Sequence, residues 1–137
     1  MNRIISVGII TYNQEKTIRQ TLESVLCQKG DFDLELVVGE DHSLDATRSI
    51  CEEYASKYPM HTDNTTISFV LLDDQPNLGI MRNFARVMKA CTGDYIGICA
   101  GDDYWCDDYA SGIAFDGHEY KSKEELYLAV DEYIKEL

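Results

Sequence analysis

Basic residues are scarce in this chain: 12 Lys and Arg stand against 25 Asp and Glu, a net charge of -13 over 137 residues. A nucleic-acid surface needs a basic stripe to displace counterions, so that function class is excluded. An anionic substrate would in turn need a metal ion or local donors to be held. Paired cysteine spacing is also missing. The five cysteines, Cys27, Cys51, Cys91, Cys99 and Cys106, form no CxxC and are odd in number. They read as small buried thiols in a reducing cytoplasm and not as a zinc site or a disulfide framework. No apolar run approaches the roughly 18 residues that span a bilayer, so no transmembrane segment is expected. The apolar stretch Ile4–Ile10 follows Arg3, but it is short and runs into Thr11-Tyr12-Asn13 without a small-residue cleavage site. It reads as a strand, with peripheral membrane contact left open. A glycine-rich phosphate loop is absent after this first strand, which argues against an ordinary phosphate-loop domain. Repeats and low-complexity tracts are absent too.

What is present is a regular alternation. Ile4–Thr11 is β-branched and continuous, as in strands buried on both faces. Asn13 is expected to cap a helix carrying Ile18, Leu22, Val25 and Leu26, ended by Gly30. A second strand covers Leu34–Gly39, and Ser43 or Asp45 opens a helix with Ala46, Ile50 and Tyr54 on one face. His61–Thr66 reads as a polar loop. Ile67–Leu72 is a third strand. Gly79 precedes a helix whose apolar face is Ile80, Phe84, Val87, Met88 and Cys91. Gly93 closes it, and Tyr95–Cys99 is the fourth strand. Strands alternating with helices imply an α/β fold: three layers, a doubly wound and mostly parallel sheet, with right-handed crossovers.

The pattern divides the chain into an α/β domain over residues 1–105 and a divergent tail over 106–137. In the tail Ser122 and Glu125 form a capping box, and Leu126, Val130, Tyr133 and Leu137 fall on one stripe of an amphipathic helix. That helix is expected to pack on the same domain, with self-association as the other use of the stripe.

Polar residues recur where each strand ends. Thr11-Tyr12-Asn13 follow the first, Glu40-Asp41 with His42-Ser43-Leu44-Asp45 the second, Asp73-Asp74 the third and Asp102-Asp103 the fourth. A parallel sheet gathers all four groups on one edge, where nucleotides bind in open α/β folds. Tyr12 can stack on a base, with Thr11 and Asn13 as short hydrogen-bonding groups. An ionised Asp41 can accept from ring N–H groups or a ribose hydroxyl. Arg82 can approach a diphosphate as a forked donor. Asp102 and Asp103 offer the hard oxygen ligands that Mg²⁺ or Mn²⁺ prefers, completed by substrate phosphates.

The motifs Val7-Gly8-Ile9-Ile10-Thr11-Tyr12-Asn13, Glu40-Asp41-x-Ser43-x-Asp45-x-Thr47, Asn77-x-Gly79-x-x-Arg82-Asn83 and Gly101-Asp102-Asp103-Tyr104-Trp105 together resemble the family-two glycosyltransferases. The resemblance extends from Met1 to about Trp105. It implies a glycosyltransferase A-type fold, a nucleoside-diphosphate-sugar donor (a uridine donor first), Mg²⁺ or Mn²⁺, and inversion at the anomeric carbon. It also implies a glycan or lipid-linked acceptor. By it Thr11, Tyr12, Asn13, Asp41, Arg82 and Asp102 line the nucleotide site, and Asp103 holds the metal. Ala100 departs from the pattern, which often has an acid there. The family's general base is expected well downstream, and the chain stops about a hundred residues short of a complete domain of that type. The expectation is therefore a truncated donor half with its catalytic base unidentified. Asp107, Asp108, Asp116 and Glu119 are the substitutes to consider. The other reading is a non-catalytic nucleotide-binding or self-associating remnant.

Overall fold

The computed structural model describes residues 2–62 and 64–105, together with the backbone of two short strands beyond them. Along the chain run β1 (Arg3–Thr11), α1 (Ile18–Leu26), β2 (Phe32–Glu40), α2 (Thr47–Ala55), β3 (Met60–His61), β4 (Thr66–Leu71), α3 (Ile80–Ala90) and β5 (Tyr95–Ala100). The short strands are β6 (Ala114–Phe115) and β7 (His118–Glu119), paired antiparallel with each other. The expected tail helix and the acids Asp107, Asp108 and Asp116 lie outside the described residues, as does the side chain of Glu119.

One five-stranded sheet has the order β3-β4-β2-β1-β5. All its pairings are parallel except the β3–β4 hairpin. From β1 the chain steps outward through β2 to β4, then returns to the opposite side of β1 for β5. The strand order therefore reverses between β1 and β5, whose carboxyl ends lie side by side. Open α/β sheets place their ligand crevice at that point.

Alternation along the strands sorts the two faces. Val7, Ile9, Leu34, Leu36 and Val38 project to one side and pack with Ile18, Leu22 and Val25 of α1 and with Cys51 and Tyr54 of α2. Most of these side chains are wholly buried, and each contributes about 1.5–3 kcal/mol by leaving water. On the other side Gly8 and Gly39 let α3 approach the sheet. A Cβ at Gly8 would stand 2.6 Å from Val87 Cγ1, and one at Gly39 would stand 2.4 Å from Val87 Cγ2. With helices on both faces the fold is the expected three-layer, doubly wound α/β arrangement.

The local readings need four corrections. Asn13 does not cap α1: its φ is 51°, outside the extended region of a capping residue, and its side-chain oxygen accepts from Leu44 N–H instead. The helix begins at Ile18 after a turn over residues 14–17. On α2 the buried residues are Thr47, Cys51 and Tyr54: of the face read from the sequence Tyr54 is buried and Ile50 packs partly buried on the core, but Ala46 is exposed and Thr47 takes its place. On α3 the buried residues are Asn83 and Val87, while Ile80 is 75% exposed. Asn83 takes a core position because its Nδ2 donates to the Gly39 carbonyl, 2.8 Å away. Finally, the polar segment after Pro59 contains β3. Two exposed residues pair with the start of β4 across a turn in which Thr62 N–H donates to the Thr65 carbonyl.

Candidate functional site

The β1–α1 and β2–α2 loops are laced together at the sheet edge. Asn13 N–H donates to Ser43 Oγ, while Leu44 N–H donates back to Asn13 Oδ1, both at 2.8 Å. Gln14 N–H donates to Thr47 Oγ1 at 2.8 Å. Glu15 N–H reaches Asp45 Oδ2, and Ala46 N–H reaches Glu15 Oε2. Asn13 and His42 hold the left-handed backbone (φ 51° and 60°) that these tight exits require, a region in which Asn and His are enriched among non-glycine residues. Burial opposes ionisation of Asp45. The Thr47 hydroxyl and amide and the Glu15 amide outweigh it and hold its carboxyl below the usual range. Tyr12 stands above this lacing with 42% of its surface exposed, free to offer a ring face.

Glu40 and Asp41 end β2 and are both buried. Asp41 extends the β1–β2 ladder by donating its N–H to the Thr11 carbonyl. Its carboxylate accepts Leu78 N–H at 2.7 Å on Oδ1 and Gly79 N–H at 2.9 Å on Oδ2. Asn77 Nδ2 donates to its carbonyl oxygen. Asp41 thus clamps the segment that leads into α3, and each of its carboxylate oxygens keeps a further lone pair. Glu40 accepts from Ser43 N–H and the Ser43 hydroxyl through Oε2. Its Oε1 lies 3.7 Å from Arg48 Nη1. Arg86 binds the Glu40 and Asp73 carbonyls and Asn83 Oδ1, tying α3 to two strand ends. The spacing of Arg82 pointed to the anion role, yet Arg82 lies exposed on the first turn of α3 and Arg86 is the arginine that reaches the edge.

Asp102 and Asp103 follow β5 directly. Gly101 N–H donates to the Ile10 carbonyl, so the turn grows out of the β1–β5 ladder, and Asp103 N–H closes it onto the Ala100 carbonyl. Gly101 is buried against Thr11: a Cβ there would stand 2.3 Å from Gln14 Oε1 and 2.7 Å from Thr11 Cβ. The underside of the turn rests on α1. Thr17 Oγ donates to the Gly101 carbonyl at 2.9 Å. Thr21 Oγ lies within reach of the Gly101 and Asp103 carbonyls. Trp105 N–H donates to Ser24 Oγ at 3.0 Å. Both aspartate side chains are exposed, and neither accepts a hydrogen bond from a described residue.

The structure therefore brings Thr11, Asp41 and Asp102 to the ends of three adjacent strands, with Tyr12 and Asn13 between them. Asn13 and Asp102 share a polar crevice of about 390 Å³ with Gln14, Glu15, Lys16, Thr17 and Asp45. Arg82 is not among its lining residues. Sequence reasoning missed Thr17, Thr21 and Ser24. Their signal was a row of hydroxyls at helical spacing, Thr17 at the N-cap of α1 and Thr21 and Ser24 within it, beside the apolar Ile18, Leu22 and Val25. His42 pairs with Asp74 at 3.0 Å, both half-exposed, and this bond lowers the Asp74 pKa.

No group of three or more His, Cys, Asp or Glu side chains among the described residues forms a metal cage. The exposed, unengaged carboxylates of Asp102 and Asp103 fit the other arrangement, in which one or two carboxylates hold a hard cation and substrate phosphates complete its shell. Their charge is felt below the turn. Burial, then Asp103 and Asp102, push the Cys99 thiol up to about 12. No helix among the described residues is long and apolar enough to cross a membrane.

Comparison with known proteins agrees with this geometry. The uncharacterized protein Rv1520 of Mycobacterium tuberculosis is 39% identical over 103 residues, which cover 75% of this chain and 28% of that protein. The dTDP-rhamnosyl transferase RfbG of Shigella flexneri is 35% identical over 72% of this chain and 32% of its own length. The chain thus spans about a third or less of these relatives. Among solved structures, S. aureus TarS 1–349 in complex with UDP superposes with a TM-score of 0.62 at 28% identity, covering 78% of this chain and 30% of that one. The sequence model of glycosyl transferase family 2 matches residues 6–114, and the chain belongs to that family.

Proposed function

We propose that this chain binds the donor of a glycosyl transfer reaction, a nucleoside-diphosphate sugar, together with a divalent cation. The observation that carries this reading is the pair of free carboxylates, Asp102 and Asp103, at the point where the strand order reverses. Thr11, Tyr12, Asn13, Asp41, Arg82 and Asp102 surround the nucleotide. Tyr12 stacks on the base, and the remaining lone pairs of Asp41 accept from it. Asp103 holds Mg²⁺ or Mn²⁺, which neutralises charge developing on the departing diphosphate. The net charge of -13 makes such a cation valuable for holding an anionic donor. A pyrimidine donor is the first choice. TarS is solved with UDP, and RfbG is a dTDP-rhamnosyl transferase.

Binding without transfer is the second reading, and the crevice supports it. Its acids besides Asp102 are Glu15 and Asp45, and both already accept backbone N–H groups. Each keeps further lone pairs, but taking a proton from an acceptor hydroxyl would compete with the loop contacts it already makes. Calorimetry with UDP and Mn²⁺ on the wild type and Asp103→Ala tests the donor site. Metal-dependent binding by the wild type alone supports it, and equal or absent binding in both overturns it for uridine donors. Release of sugar from the UDP-sugars that bind separates transfer or hydrolysis from binding alone.

A further inference from the structure

We infer that Thr21, aided by Thr17 and Ser24, is the positioning residue for the aspartate pair. This rests on the donor-site reading above and extends it from the carboxylates to what holds them. The turn over residues 101–105 projects from the end of an edge strand and touches the cation only through Asp102 and Asp103. Nothing in those exposed side chains fixes their location. The backbone beneath them is fixed, by one row of hydroxyls on α1. Thr17, Thr21 and Ser24 sit at positions i, i+4 and i+7, one above another on the same helical face. They engage, in order, the Gly101 carbonyl, the Gly101 and Asp103 carbonyls, and Trp105 N–H.

Thr21 is the centre of the row and only 1% exposed. A buried hydroxyl inside a helix ordinarily turns back onto the preceding turn, and the Thr17 carbonyl is 3.3 Å away. Here the same oxygen faces both loop carbonyls, so it spans the residues on either side of Asp102. The Asp103 carbonyl belongs to the residue assigned to the metal. Removing the Thr21 hydroxyl leaves that carbonyl without its buried partner and lets the turn lift from α1. Trp105 then anchors the far end, with its ring over Gly97, where a Cβ would meet it at 2.8 Å.

The test compares Thr21→Val, which keeps shape and removes the hydroxyl, with Thr21→Ser, which keeps the hydroxyl. Ser24→Ala is the second variant. Trp105 is the only tryptophan of the chain, so its emission and acrylamide quenching report the loop directly. Amide exchange of Asp103 and Trp105, set against Val37 in the sheet core, separates loop release from general destabilisation. Thr21→Val is expected to speed exchange at Asp103 and Trp105 at least ten-fold more than at Val37, and to raise Trp105 quenching. It also weakens Mn²⁺ binding to the UDP complex about ten-fold, as loss of an outer-shell partner does. Thr21→Ser restores both. Exchange that rises equally at Val37, or a Thr21→Val loop indistinguishable from wild type, overturns the positioning role. A wild type that ignores UDP and Mn²⁺ overturns the donor reading instead. The exchange and quenching arms still decide whether Thr21 holds the turn.

Discussion

Replacing Asp41 by alanine is expected to destabilise the chain by about 3 kcal/mol before any ligand is considered. Asp41 is buried, with 4% of the residue exposed, and its carboxylate receives Leu78 N–H and Gly79 N–H at 2.7 and 2.9 Å. Hydrogen bonds to a charged acceptor are each worth about 1.5–3 kcal/mol. Leu78 and Gly79 are only partly buried, so water can replace some of what is lost and the lower figure applies to each bond. Asp41→Asn keeps the shape but puts an NH₂ group opposite one of the two N–H donors. It should cost roughly half as much. Urea unfolding of the three proteins, followed by far-UV circular dichroism at neutral pH, measures both differences. An alanine variant within about 0.5 kcal/mol of wild type would refute the claim that Asp41 clamps the start of α3. The comparison also guards the functional assay. Loss of UDP binding in Asp41→Ala is ambiguous, whereas loss in a folded Asp41→Asn points to the base contact.

Other outcomes follow from the same contacts. Gly101→Ala should displace the aspartate turn, because the added methyl meets the side chain of Thr11 on a buried strand end; Mn²⁺-dependent UDP binding reads this, and unchanged binding would contradict it. Leu36→Ala removes a wholly buried side chain from β2 and should cost about 2–5 kcal/mol in urea unfolding. Native alkylation at pH 8 should reach exposed Cys27 well before Cys99, whose thiol, pushed to about 12 by burial and the nearby aspartates, has very little thiolate; peptide mapping of labelled protein checks the order. Glu35 has its pKa lowered from the ordinary 4.5: burial opposes ionisation, but the Thr92 amide, the Thr92 hydroxyl and the Ser6 hydroxyl outweigh it. A depressed folded pKa contributes stability above 4.5 that is lost as pH falls through the lower folded value. Glu35→Gln should therefore flatten the acid side of a melting-temperature profile.

The alternation of strands and helices and the common edge were legible because continuous apolar runs, period-3.6 patterns and turn residues report them directly. Thr11, Asp41 and Asp102 stand at the ends of the adjacent strands β1, β2 and β5, on one edge as the alternation predicts. Two of the inaccurate readings share one physical origin, that a polar side chain's partner lies far away in sequence. Asn13 has the composition of a helix cap, but its acceptor serves Leu44, 31 positions on. Asn83 looks like a surface residue of α3, yet a carbonyl on β2 draws it into the core. Ile80 completes an apolar stripe on paper and stands exposed in the fold. Arg86 was missed for the same reason: its tethering role depends on the three-dimensional positions of the Glu40 and Asp73 carbonyls.

This distinction between engaged and unengaged groups carries further than any motif. Acids follow β2, β4 and β5 alike, and charge alone cannot tell them apart. Hydrogen bonding separates all but Asp73, which is exposed after β4 with no side-chain partner among the described residues and stands two strands away from β1. Glu40 is held by Ser43, Asp41 by Leu78 and Gly79, Asp45 by Thr47 and Glu15, and Asp74 by His42. A carboxylate that satisfies backbone N–H groups in a folded loop gives up that stabilisation if it turns to a cation. Asp102 and Asp103 surrender nothing of the kind, because their backbone is held from below by Thr17, Thr21 and Ser24 while their side chains stay free. A main chain held in place with the carboxylates open leaves both available to a hard cation whose shell substrate phosphates complete. Exchanging the roles tests this directly. Asp45→Asn should disturb the β1–α1 and β2–α2 loops while leaving the Mn²⁺ response, and Asp102→Asn should weaken that response with the fold intact. Equal Mn²⁺ responses in the two variants would remove the basis for separating them.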